Sequence, residues 1–156
     1  MAVYDSIDCL WSWDGDYGKD QLGDLADTSE DFLNSIVQEV QTFVKSETLD
    51  WEKDITVATD LSDFQGVANT RENGKAIEER VKSRLVNHNL VQPGDISVRV
   101  VPVHNNQVMI MVRISAQPTS KNGLSPGEPI KVDFIYDTVE NGIFFLADNI
   151  TARNMR

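Results

Sequence analysis

Residues 96–114 read ISVRVVPVHNNQVMIMVRI and determine the class of fold. Apolar residues occupy alternate positions on both sides of a His104-Asn105-Asn106 turn. A period of two is typical of a β-strand with one buried face, so this stretch predicts an antiparallel β-hairpin. The alternating apolar side chains are Ile96, Val98, Val100, Val108, Ile110, Val112 and Ile114.

Two further strands are predicted after the hairpin. A loop that contains prolines and glycines covers residues 118–129, and a third strand runs from Ile130 to Tyr136. Asn141-Gly142 is a strong signal for a tight turn, and it separates that strand from a fourth over residues 143–146. Strands that follow one another in this way predict an antiparallel meander.

Two helices are predicted before the hairpin. Residues 28–31 (TSED) form a variant of a capping box, and apolar residues follow at three- and four-residue spacing, so a first helix is expected to end near Glu47. A second helix starts at Asn69 or Thr70, where Asn69 to Glu72 fits a capping box, and its apolar stripe is Ile77, Val81 and Leu85. This order predicts an α+β domain in which two helices pack on one face of the meander.

The net charge of −11 is concentrated near the N-terminus. Residues 1–31 contain nine acidic side chains and one basic side chain, which is −8, and residues 32–156 contain 16 acidic and 13 basic side chains, which is −3. We therefore divide the chain into an extended acidic, aromatic arm over residues 1–27, an α+β domain over 28–147 and a C-terminal tail over 148–156.

The composition excludes several classes of function. A chain of this charge repels phosphate, so we expect no binding of nucleic acid through a broad basic surface. No apolar run approaches the length of a transmembrane helix, so we expect no membrane partner. The N-terminal residues MAVYDSIDCL lack the pattern of a signal peptide, and we expect assembly in a cytoplasm.

Residues that carry metal-binding or catalytic chemistry are few or badly placed. Cys9 is the single cysteine and cannot form an internal disulfide, and two histidines leave little for zinc. A glycosidase needs two carboxyl groups in one cleft, with the pKa of one of them raised by burial. The candidate acids occupy polar helix positions or loops, with none in an apolar context, so we predict no catalytic residue, no metal and no cofactor. These acids are Glu39, Glu47, Glu52 and Glu72.

The remaining candidate sites are surfaces that bind partner proteins. Tryptophan and tyrosine dominate the energetics of interfaces, so the aromatic residues of the arm are candidate anchors, unless they fold back on the domain. Residues 131–146 form a candidate edge, and an exposed edge accepts a strand from another chain. Two arginines of the tail are candidate contacts, although a frayed terminus is an equally good interpretation. The candidate interface residues are Trp11, Trp13, Tyr17, Phe134, Tyr136, Phe144, Phe145, Arg153 and Arg156.

Residues 24–114 resemble the small baseplate wedge protein of contractile-tailed bacteriophages, in the sheath-initiating family that is often labelled lysozyme-like. The order and spacing of segments carry the resemblance more than any single signature. One feature departs from it, because the family often has a Glu-Pro-Arg triad where this chain reads Val91-Gln92-Pro93-Gly94-Asp95. The matching segments are GDLA at 23–26, FLNSIVQEV at 32–40, DLSDFQG at 60–66, IEERV at 77–81 and DISVRVVP at 95–102 with the strand that pairs with it.

The resemblance implies a structural protein of the virion rather than an enzyme. Such a protein sits in the tail baseplate in several copies around the tail axis, and it links other baseplate wedge proteins to the first ring of tail sheath protein, partly by strand exchange. Two alternatives stay open. One is a peptidoglycan-cleaving, lysozyme-like enzyme, and the other is the equivalent subunit of a contractile secretion or toxin-injection machine.

Overall fold

A computed structural model of the chain describes residues 9, 18–19, 22–25, 32–50, 57–88, 91–115 and 129–146. The elements in these residues confirm the predicted α+β fold, in which two helices accompany a four-stranded antiparallel meander. The helices are α1 (Phe32–Lys45) and α2 (Arg71–Asn87), with short 3₁₀ helices at Thr48–Asp50 and Leu61–Phe64. The strands are β1 (Ile96–His104), β2 (Gln107–Ile114), β3 (Ile130–Asp137) and β4 (Gly142–Phe145).

The strand order in the sheet is β1-β2-β3-β4, so β2 and β3 are interior strands. Ile96 pairs with Ile114 across the first hairpin, and Val112 pairs with Val132 in the next strand. Alternate side chains of β2 and β3 are buried against the helices, as the period of two predicts. The buried side chains of these two strands are Val108, Ile110, Val112, Ile114, Ile130, Val132, Phe134 and Tyr136.

The two helices form a layer on one face of this sheet. α1 packs against β3 and α2, and α2 packs against β1. Both apolar stripes are buried, because residues three and four apart lie on the same side of a helix. The buried members are Ile36, Val37, Val40, Phe43 and Val44 in α1, and Ile77, Val81 and Leu85 in α2.

The start of α2 lies where the sequence predicts it. Thr70 has an extended backbone, and its hydroxyl accepts a hydrogen bond from the Asn73 N–H at 3.3 Å, which satisfies one free donor of the first turn. The cap residue is thus Thr70, and the predicted capping box of Asn69 with Glu72 is wrong, because Glu72 is exposed and Asn73 makes the contact with the cap hydroxyl. The Asn73 side chain donates to the Ala68 carbonyl at 2.7 Å. The TSED segment predicted to cap α1 lies outside the described residues.

The turn between β3 and β4 is longer than the predicted Asn-Gly turn. Asn141 has a left-handed backbone with φ 53°, but Gly142 is already the first residue of β4. The chain leaves β3 earlier because the Thr138 N–H and hydroxyl both donate to the Asn106 carbonyl, at 2.8 and 3.1 Å. The Asp137 carboxylate then accepts the N–H groups of Val139 and Glu140. These contacts fix a loop over residues 138–141.

Neither α1 nor α2 combines the length and the apolar composition needed to cross a membrane, and the same is true of every helix in the described ranges.

Candidate partner-binding surfaces

Two of the predicted interface residues, Phe134 and Tyr136, lie in the core. Both side chains are 0% exposed, because β3 is an interior strand and these positions face the helices. The Tyr136 hydroxyl donates to the Leu61 carbonyl at 2.7 Å and lies 2.9 Å from the Asn141 Oδ1 atom. Burial, followed by the charges of nearby carboxylates, raises the pKa of Tyr136 to about 12. The prediction that these two residues contact a partner is therefore wrong.

The other two predicted aromatic residues of the sheet, Phe144 and Phe145, lie on opposite faces of β4. The Phe145 ring faces the helices, with its centroid 5.4 Å from that of Phe134 and 5.2 Å from the Lys45 Nζ atom. Phe144 points to the other face and is 55% exposed. Among the predicted interface residues that the structure describes, Phe144 thus has the largest exposed fraction of its side chain.

The remaining predicted interface residues have no described position. Trp11, Trp13 and Tyr17 of the arm, and Arg153 and Arg156 of the tail, lie outside the described residues. They stay predictions from the sequence.

The edge of the sheet at β4 is open within the described residues. The Leu146 N–H donates to the Asp133 carbonyl at 2.9 Å, and hydrogen-bonded pairs alternate along an antiparallel ladder. The pair of Ile135 with Phe144 is therefore hydrogen-bonded, and the backbone groups of Ile143 and Phe145 point away from β3. Those N–H and C=O groups have no partner among the described residues, so they are available to an added strand.

The edge at β1 is interrupted. The Ser115 N–H donates to the Asp95 carbonyl at 2.7 Å, so the same alternation turns the backbone groups of Val100 and Pro102 outward. The Val100 N–H donates to the Glu78 Oε1 atom of α2 at 2.8 Å, and Pro102 has no N–H to offer. A strand that extended along β1 would meet a carboxylate and a proline at consecutive outward positions.

Sequence reasoning did not identify this difference between the two edges. Pro102 carries a signal, because proline in a strand pattern is confined to edges, strand starts and bulges. The sheet has a register irregularity between Pro102 and His104. The role of Glu78 has no local signal, since its partner Val100 is 22 residues away in the chain.

The face of the sheet opposite the helices, called here the outer face, carries an apolar row. Val101 pairs with Met109, Met109 pairs with Ile135, and Ile135 pairs with Phe144, so the row crosses all four strands. None of these four residues belongs to the core cluster or packs against it. The outer face is therefore a second candidate surface, beside the β4 edge.

The described residues offer little for catalysis or metal binding. Glu39 corrects the prediction that no acid has an apolar context, because its Oε2 atom is buried without a hydrogen-bond partner and burial raises the pKa of this carboxyl to about 7. The Glu47 carboxylate accepts a hydrogen bond from the Ser62 hydroxyl at 2.6 Å. The Glu72 side chain is exposed, and Glu52 lies outside the described ranges. No group of three His, Cys, Asp or Glu residues in the described part of the chain is placed to hold a metal ion.

Comparison of the chain with protein-family models, with curated proteins and with solved structures gives no match.

Proposed function

We propose that the protein is a structural component of a contractile phage tail baseplate, in which it links the inner wedge to the first ring of tail sheath and nucleates sheath assembly. The observation that carries the proposal is the difference between the two sheet edges. β1 is interrupted by Glu78 and Pro102, whereas β4 presents the backbone groups of Ile143 and Phe145. The resemblance of residues 24–114 to the sheath-initiating family supplies the class of partner.

The β4 edge accepts a strand of the sheath subunit in this proposal. Backbone hydrogen bonds to Ile143 and Phe145 supply affinity that is independent of sequence, and side chains on either face of the added strand supply specificity. Phe144 is available on the outer face, and Lys45 and Phe145 lie at the helix side. Four residues make a short edge, so several copies around the tail axis would raise the overall affinity through multivalency.

A proline substitution at the open edge tests the proposal. Ile143→Pro removes an outward N–H from β4, and we expect it to weaken binding of the sheath subunit by about tenfold or more, measured by pull-down and electron microscopy of assembled tails. Val98→Pro is the matched control, because Val98 is also partly buried against the core and its N–H also points outward, on the β1 edge.

Circular dichroism of both variants verifies that the sheet is retained. Equal loss of binding in Ile143→Pro and Val98→Pro, or normal binding by Ile143→Pro, would contradict the role of the β4 edge.

A second candidate is a peptidoglycan-cleaving enzyme, which Glu39 favours because a general acid needs a raised pKa. Burial alone raises the pKa of Glu39, and no charge on a described neighbour contributes. A cell-wall clearing assay decides between the two functions: clearing by the protein and its loss in Glu39→Gln support the enzyme, and no clearing ends that candidate. The equivalent subunit of a secretion or injection machine differs in its genomic neighbours, which distinguish it from a phage protein.

A further inference from the structure

The outer face carries more apolar surface than a fully solvated sheet face needs. Val101 is 38% exposed at one end of the apolar row and Phe144 is 55% exposed at the other, with Met109 and Ile135 between them. The next row adds Met111 and a Leu146 side chain that is 39% exposed. Contiguous apolar patches on a protein surface are typical of interaction sites.

Basic side chains border this patch at one end of the sheet. Arg99 lies in the row of Met111, and Arg113 and Lys131 pair with each other in the adjoining row. One carboxylate is among them, Asp133, which forms a salt bridge with Arg113. Within the described strands β1 to β3, three cations and one carboxylate leave a net charge of +2 at this end of the face, in a chain whose net charge is −11.

The opposite end of the outer face carries a carboxylate that is already engaged. Asp137 accepts the Gln107 side chain at 3.0 Å and the N–H groups of the loop that follows. These hydrogen bonds lower the pKa of Asp137, so its charge is retained. The chemistry of the face therefore suits a segment that combines apolar or aromatic side chains with acids directed toward Arg99, Arg113 and Lys131.

The chain contains such a segment in its own N-terminal arm. Residues 1–27 hold seven acidic side chains and one basic side chain, together with Trp11, Trp13 and Tyr17. We propose that the outer face binds the acidic, aromatic arm of a second copy of this chain. Opposite charges and large aromatic side chains are the features that steer and anchor protein interfaces.

Cys9 of the same copy lies at the helix layer. The Gln38 Nε2 atom of α1 donates to the Cys9 carbonyl at 2.9 Å, and α1 belongs to that layer. The outer face lies on the other side of the sheet from that layer. Contact between the helix side of one copy and the outer face of the next is heterologous, and such contacts form a ring where the rotation closes. This inference rests on the side chains of the outer face, whereas the proposed function rests on the backbone groups of β4, and Phe144 borders both surfaces.

Cross-linking of two isotopic populations tests the inference. Full-length chains with natural and with ¹⁵N-labelled nitrogen are mixed in equal amounts, and a carbodiimide joins carboxylates to lysine amines. We expect Lys131 to cross-link to acids of residues 5–24. If the links join two copies, random pairing of the two populations makes about half of them connect an unlabelled chain to a ¹⁵N-labelled chain. Sedimentation at rising protein concentration should show a growing average mass.

A matched pair of charge reversals locates the contact. Lys131→Glu on the outer face should weaken self-association by about tenfold or more, whereas Lys75→Glu, an equal charge change at an exposed position of α2, should leave it unchanged. Both variants should bind the sheath subunit as the parent does, so failure here is distinguishable from failure of the β4 role. Links to Lys131 that are never mixed, or a chain that stays monomeric, would overturn the inference.

Discussion

Glu39 lies within α1 with one carboxylate oxygen, Oε2, buried and without a hydrogen-bond partner among the described residues. Desolvation disfavours the charged form of a carboxyl group, and it raises the pKa of Glu39 from 4.5 to about 7. The sequence predicts that Glu39 occupies a polar position of a helix, and the burial of its side chain arises from packing that helical periodicity does not describe.

The raised pKa of Glu39 makes the stability of the fold depend on pH. The folded chain binds this proton more tightly than the unfolded chain, so the free energy of unfolding should fall as the pH rises from about 4.5 to about 7 and level off above that. Glu39→Gln should reduce the difference in stability between pH 5 and pH 8 by about 1–2 kcal/mol, a value discounted for partial exposure of the side chain.

Urea unfolding at the two pH values measures the effect of Glu39→Gln. Glu79→Gln, at an exposed position of α2, is the control and should keep the pH dependence of the parent. An unchanged difference between pH 5 and pH 8 in Glu39→Gln would show that Glu39 ionises freely in the folded chain.

At the scale of elements, Glu78 connects α2 to the outer edge of β1. Its Oε1 atom accepts the Val100 N–H, which would otherwise be an unpaired donor at a sheet edge. Glu78→Ala should lower the free energy of unfolding by about 1–2 kcal/mol and speed amide exchange at Val100, because that N–H loses its acceptor. Glu79→Ala, one residue along the helix and exposed, should change neither quantity.

Hydrogen exchange by NMR follows the Val100 amide directly in these two variants. Equal protection of Val100 in Glu78→Ala and in the parent would mean that the carboxylate does not close the edge.

Most elements follow from local patterns in the sequence. Spacings of three and four residues predict both helices, and the period of two predicts the hairpin of β1 and β2, because each pattern describes one buried face. The errors arise where distant residues decide the outcome. Tyr136 is buried and bonded to Leu61, which is 75 residues away, and the loop after Asp137 is fixed by the Asn106 carbonyl of another turn. No local pattern encodes either contact.

The same limit applies to the candidate surfaces. The sequence predicts that β4 includes an edge and that its aromatic residues are available, but the face of each one depends on the register with β3. That register places Phe144 outside and Phe145 against Phe134. The apolar row of the outer face becomes visible only when four strands are aligned side by side.

At the scale of the whole molecule, the uneven charge and the unequal edges point to assembly with other chains. Residues 1–31 carry −8 of the net charge of −11, and the described part of the α+β domain has one interrupted edge, one open edge and an apolar row outside the core. Edges and apolar patches that remain exposed in a stable domain are typical binding sites. The two proposed surfaces use different groups, the backbone N–H and C=O groups of the β4 edge and the side chains of the outer face, and Phe144 borders both.

Amide hydrogen exchange of the full chain, with and without the tail-sheath subunit, tests the central claim most directly. We expect the amides of Ile143 and Phe145 to become protected when the sheath subunit is present, because an added strand gives each of them an acceptor, while the Val98 amide of β1 keeps its rate of exchange. Unchanged exchange at both β4 positions, or protection at Val98 instead, would contradict the claim that β4 accepts the strand.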